Sequence, residues 1–338
     1  VSLSDSEQSR LWAVDGEGRI REELPLGNWT ETVPLAFDEA GNRLFLGREA
    51  LGDHHVDVLD LRRAEVTATI PLDLAPKDLA WDADGGRLLV SHTYEHKVGI
   101  VDIEGDEETS LYPTALDLID LDVDPGRGHV YVTDSAGRLH VLDSAMDREL
   151  VMLPGEGRIA VDSAHGRVYT GGEGAGQVSI FDSDSLQLTG EIETSASPVA
   201  DAHFGQLYLV QNGIYLTSLE TMTVTAAISD TLPQSPGYTP NTSAVDAVVD
   251  PGSGRIFAII TNGVPGAIGG TYLYVFEPVT YQRVLTDTER RPAYVDVDPT
   301  TGRAYISRSH MHGSSISILE DGREYCSRLD AVSGALRV

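Results

Sequence analysis

A unit of about forty residues repeats along the whole chain, and few architectures can accommodate it. Each copy is a short apolar strand, an Asp/Gly turn, then Gly-Arg or a close variant and a second strand. Examples are "LAFDEAGNRLFLG" (35–47), "LDVDPGRGHVYVT" (121–133) and "VDVDPTTGRAYIS" (295–307). The centres of the second strands are Phe45, Leu89, Tyr131, Tyr169, Tyr208, Phe257 and Tyr305, spaced 38 to 49 residues apart. A third strand follows in each copy, such as "VDVLD" (56–60), "VGIVD" (98–102) and "VSIFD" (178–182), and most copies add a fourth. Alternation of period two between turn residues marks antiparallel strands, and no segment carries a sustained helical period with caps.

Four strands per forty-residue unit is the pattern of a β-propeller, whose blades bury their faces against one another. The expected fold is all-β, a single seven-bladed propeller of four-stranded antiparallel blades occupying 1–338. Blades are expected at roughly 34–74, 75–114, 115–154, 155–196, 197–242, 243–289 and 290–338, with 10–26 closing the ring. The segments "GHVYVTD" (128–134), "GRVYTGG" (166–172) and "GRAYIS" (302–307) resemble the prokaryotic YVTN family of seven-bladed propellers over nearly the entire chain. That resemblance implies the fold and an exported scaffold used by binding proteins and enzyme subunits alike; it does not imply one activity.

The formal charge of −29 excludes sequence-independent nucleic-acid binding, which needs a basic surface. No apolar run is long enough for membrane insertion. Cys326 is the only cysteine, so neither an internal disulfide nor a thiolate metal cluster is available. The opening "VSLSDSEQSR" has no basic or apolar signal region. An export signal is expected to have been removed, placing the protein in the periplasm or secreted; the cytoplasm is the alternative.

Six of the ten histidines precede third strands in the first, second and last repeats: His54, His55, His92, His96, His310 and His312. In a propeller, loops joining second to third strands share one face with those joining a fourth strand to the next first. Those three repeats are consecutive in a closed ring, so the six imidazoles are expected to converge as a transition-metal site. His310 and His312 at i, i+2 would share one side of an extended segment, and a bulge could turn both His54 and His55 inward. Glu49, Asp53 and Glu95 are the expected minor ligands or orienting partners. For this sulfur-free set, copper is favoured over zinc or iron.

On the same face, Lys77, Arg158, Arg290 and Arg291 lead into first strands at the channel mouth. They could bind a carboxylate substrate or form a mutual ion-pair network with Asp78, Asp117 and Asp246. The long segments 229–243 and 261–272 are expected to overhang this face, with Tyr238 covering a ligand. The first functional expectation is an exported metal-binding propeller, with a metal-dependent oxidoreductase acting on a small molecule as its enzymatic form. The second is a non-catalytic scaffold for a ligand or protein partner. The third is a metal-free or magnesium-assisted lyase with His92 or His310 as general base.

Overall fold

The computed structural model describes residues 9–14, 20–27, 34–50, 53–63, 65–92, 95–105, 107–114, 116–172, 174–201, 205–211, 214–227, 241–263, 270–276, 283–287, 291–298, 302–310, 313–320, 323–324, 328–329 and 336–337. Side chains are described over most of 34–224 and at 246–260, 275–276, 294–298, 302 and 304–305. The chain is all-β with a propeller arrangement: six blades, each a four-stranded antiparallel sheet whose strands pair in sequence order. Their first strands are Leu35–Asp38, Asp78–Asp82, Leu118–Asp124, Arg158–Asp162, Ser197–Asp201 and Asn241–Val249.

One further sheet combines Arg291–Asp298, Arg303–His310 and Gly313–Glu320 with two N-terminal strands, Ser9–Val14 and Ile20–Gly27. Ser9–Val14 runs parallel to Gly313–Glu320, with Leu11 opposite Ile316. First strands of successive sheets lie side by side, and Arg291–Asp298 also lies against Leu35–Asp38.

The turn joining first and second strands explains the most regular part of the repeat. Asp38 accepts the Gly41 N–H at 3.0 Å and the Arg43 Nε–H at 2.8 Å; Asp82 accepts Gly85 N–H at 3.0 Å and Arg87 Nε–H at 2.9 Å. Both aspartates are 2% exposed, so the aspartate and the arginine five residues later act as a brace for the turn. The residue entering the second strand is left-handed in every repeat. It is Asn42 at φ 52° in the first, and glycine at φ 61–72° in the other six. Only residues tolerant of positive φ fit there.

The second-strand centres form the wedge between blades. Phe45, Leu89 and Tyr169 are fully buried, and Tyr131, Phe257, Tyr305 and Tyr208 nearly so. Each hydrophobic cluster draws on two neighbouring sheets: Phe45, Val56 and Ile70 pack on Leu79, Leu88 and Val90, and Tyr131 packs with Val168 and Phe181. Leu35, Leu44 and Leu46 pack with Tyr305, whose ring stacks on Phe37 at 6.2 Å between centroids. Full burial of such side chains contributes about 1.5–3 kcal/mol each before entropy is counted. Among the described residues no helix is long and apolar enough to cross a membrane.

Candidate functional site at the channel mouth

Four residues before each turn aspartate, the first strands present Pro34, Asp78, Asp120, Arg158, Ser197, Asp246 and Tyr294 as one layer. A first strand has no sheet neighbour on its channel side, so its exposed backbone groups need other partners. Carboxylates supply them across blade boundaries. Asp120 Oδ2 accepts the Ile159 N–H at 2.7 Å, and Asp246 Oδ2 accepts that of Val295 at 2.7 Å. Two residues deeper, Asp122 Oδ2 accepts the Val161 N–H at 3.2 Å, and Asp296 accepts that of Phe37.

Arg158 reaches Asp120 Oδ1 with Nη1 at 2.7 Å and also faces Asp246 and Asp78. Burial alone would lower its pKa, but the three carboxylates outweigh it and hold the guanidinium firmly charged. Burial, followed by the Asp120 charge, pushes the Asp78 carboxyl well above the usual range, and the two carboxyls are hydrogen-bonded to each other. Burial raises Asp246 to about 6 against the opposing pull of Arg158. It raises Asp122 and Asp296 to about 7, against hydrogen bonds from Val123 and Val297 respectively. Tyr294, its own pKa raised by burial and then by Asp78, donates its hydroxyl to the Lys77 carbonyl at 2.8 Å. Beside this layer a cavity of about 40 Å³ is lined by Asp120, Arg158, Ser197, Pro198, Val199 and Asp246, among others.

Sequence reasoning placed Asp78, Arg158 and Asp246 at this mouth but missed Asp120, Asp122, Asp296, Ser197 and Tyr294. The available signal was the carboxylates of "IDLDVD" (119–124) and "VDVD" (295–298), out of pattern in strands packed on both faces. Of the two roles expected for Arg158, the structure supplies the ion-pair network. Lys77 is exposed and contributes its carbonyl. Arg291 begins a strand, its side chain outside the described residues, and Arg290 and Tyr238 also lie outside them. The segment expected as a loop over 261–272 is largely hairpin: strands run to Gly263 and resume at Gly270, with 264–269 outside the described residues.

Four of the six candidate histidines, His54, His55, His92 and His96, have described side chains. His54 and His55 lie within the regular strand Asp53–Asp60, opposite Glu49 and Arg48, with no bulge to turn both the same way. His55 sits between Asp53 (Nδ1–Oδ1 3.5 Å) and Asp57 (Nε2–Oδ1 3.6 Å). His54 Nδ1 is buried without a hydrogen bond.

His92 ends the strand Arg87–His92 completely buried. Its Nδ1 is 3.0 Å from the Ala75 carbonyl and its Nε2 is 2.8 Å from Glu108 Oε1. Both nitrogens are therefore occupied in bracing the segment between the first two blades. Gly99 makes room for this pair: a Cβ there would come 2.0 Å from Glu108 Oε1.

His96 occupies a turn at φ 53°, its Nδ1 3.1 Å from Asp117 Oδ1, and Glu95 beside it is exposed. His310 ends a strand opposite Gly313; its side chain and all of His312 lie outside the described residues. Among the described residues no three His, Cys, Asp or Glu side chains group to hold a metal ion. Neither a protein-family model nor a curated protein sequence matches the chain.

Proposed function

We propose that the protein is a small-molecule-binding propeller whose recognition site is the channel mouth around Asp78, Asp120, Arg158 and Asp246. The observation carrying this reading is a cavity walled by both signs of charge at the axis where several blades meet. A concave site with few convergent polar groups and displaced carboxyl pKa values is the usual place for ligand recognition. The test is saturation-transfer NMR with a library of amines, zwitterions, carboxylates and sugars, repeated on Arg158→Met. Hits that weaken in the variant support the reading. No hits, or hits indifferent to the variant, reject it.

This reading includes a complete seven-bladed ring of the kind the YVTN resemblance implies, with the N-terminal strands completing the last blade. Its support is the shared packing of Leu35, Leu44 and Tyr305 and the hydrogen bond from Phe37 to Asp296.

A second reading, the histidine metal site with copper before zinc or iron, is favoured by the buried, unbonded Nδ1 of His54. Metal analysis of untagged protein beside a His310→Ala/His312→Ala variant tests it. Near-stoichiometric metal lost in the variant supports it; no uptake from any of the three ions rejects it.

A further inference from the structure

Ser197 is 7% exposed and lines the channel-mouth cavity, and among the described residues its hydroxyl has no hydrogen-bond partner. The residue is largely buried but its oxygen remains accessible from the cavity, which leaves the hydroxyl open to water or to a ligand group. Around it the carboxylates retain acceptor capacity. Asp120 is engaged by Arg158, by the Ile159 N–H and by the Asp78 carboxyl, three of its four acceptor sites. Asp246 accepts the N–H groups of Ala247 at 3.0 Å and Val295 at 2.7 Å. Each ionised oxygen accepts two hydrogen bonds, so each carboxylate has capacity to spare.

Charge narrows the occupant. One guanidinium, Arg158, faces Asp78, Asp120 and Asp246. Even with Asp78 neutral, two carboxyl groups, Asp120 and Asp246, face the single guanidinium. An anion would meet that excess; a monocation would neutralise it. Hydrogen bonding narrows it further. The lining offers carboxylate and hydroxyl acceptors, which an ammonium with N–H groups can use and a quaternary ammonium cannot.

Resting on the reading of the channel mouth as a ligand site, we propose that this cavity binds the primary ammonium head of a small amine. Its three N–H donors match three acceptors, Asp120, Asp246 and the Ser197 hydroxyl, while the amine's stem points into the channel.

The experiment uses the intact chain at pH 7.5, with calorimetric titration of methylammonium, tetramethylammonium and potassium chlorides at equal ionic strength. Methylammonium is expected to bind saturably, the other two not. Ser197→Ala, checked for native folding by circular dichroism, is expected to weaken methylammonium by about threefold to tenfold, the loss of one hydrogen bond. Binding is also expected to fall several-fold at pH 5, as Asp246, facing Asp78, Asp120, Asp296, Arg158 and Tyr294, takes up a proton. Equal responses to methylammonium and tetramethylammonium, saturable binding of potassium, or a Ser197→Ala variant that binds as the parent does, would overturn the proposal. If carboxylate or neutral probes bind here and methylammonium does not, the ligand class is wrong and the site stands. If nothing binds, both readings fall.

Discussion

Asp120 of the third blade holds the backbone of the fourth: its Oδ2 accepts the Ile159 N–H at 2.7 Å, 39 residues along the chain. Asp122 repeats the contact one layer deeper on Val161, again 39 residues away. Acidic side chains thus serve as latches between blades, and their two chemical roles can be separated. Asp122→Ala removes the acceptor and is expected to cost about 1–3 kcal/mol at pH 5, where the carboxyl is protonated, and less at pH 8. Asp122→Asn keeps an acceptor for Val161 while removing the buried charge, so it is expected to be neutral at pH 5 and stabilising at pH 8. Urea unfolding of both variants at the two pH values checks this. Equal losses for Asn and Ala would mean that charge, not acceptance, is what matters.

The same burial sets a direction for the pH dependence of stability. Asp122, Asp246 and Asp296 hold protons up to about 7, 6 and 7, whereas an unfolded aspartate releases its proton near 3.9. Their contribution is complete below pH 4 and is lost as pH rises through 6 to 7. Asp134 has the opposite sign, because hydrogen bonds from Arg138 and His140 outweigh burial and lower it; its contribution is lost on acidification. The unfolding temperature is therefore expected to peak near pH 5 and decline toward pH 8. A scanning-calorimetry series in which it climbs steadily to pH 8 would refute the assignment.

Gly99→Ala places a methyl group against Glu108 and, at 3.2 Å, against His92 Nε2. The expected loss is about 1–3 kcal/mol, the usual range for overpacking. Removing one member of the buried His92–Glu108 pair is expected to cost about 3 kcal/mol or more. In a His92→Ala/Glu108→Ala background the Gly99 substitution should cost almost nothing, since what it displaces is gone. Denaturation midpoints of the four proteins measure that coupling, and additive losses would show that Gly99 serves something else.

Deleting residues 1–27 removes two strands from the sheet built on Gly313–Glu320 and exposes its edge. The unfolding temperature is expected to drop by at least about 5 °C, with self-association appearing in light scattering. An unchanged, monomeric truncation would remove the N-terminal strands from any account of ring completion.

The propeller was legible because its causes are local and repeated. A turn aspartate, a residue tolerant of positive φ and a bulky second-strand centre leave their marks every forty residues or so, as Asp38, Asn42 and Phe45 do. The histidine reading rested on a genuine clustering, but which way a side chain faces at a strand end depends on partners elsewhere. His92 points inward because Ala75 offers a carbonyl and Gly99 offers space, and no spacing rule conveys either. Asp120 and Asp122 were hidden for the complementary reason. Their position inside apolar strands was a local sign, but the partner each carboxylate binds lies 39 residues away, and no local pattern names it.

The latch bonds also bear on how such a chain tolerates change. Asp246 and Val295 are 49 residues apart, Asp120 and Ile159 only 39, yet both hydrogen bonds measure 2.7 Å. Ten additional residues between latch partners leave the axial contact unaltered; part of the extra length lies in longer strands, Ile256–Gly263 and Gly270–Phe276 against His129–Asp134 and Arg138–Asp143. Peripheral segments are thus free to lengthen, shorten or acquire new surfaces while the axis keeps its dimensions. Variation in one blade's rim need not be answered by any other blade.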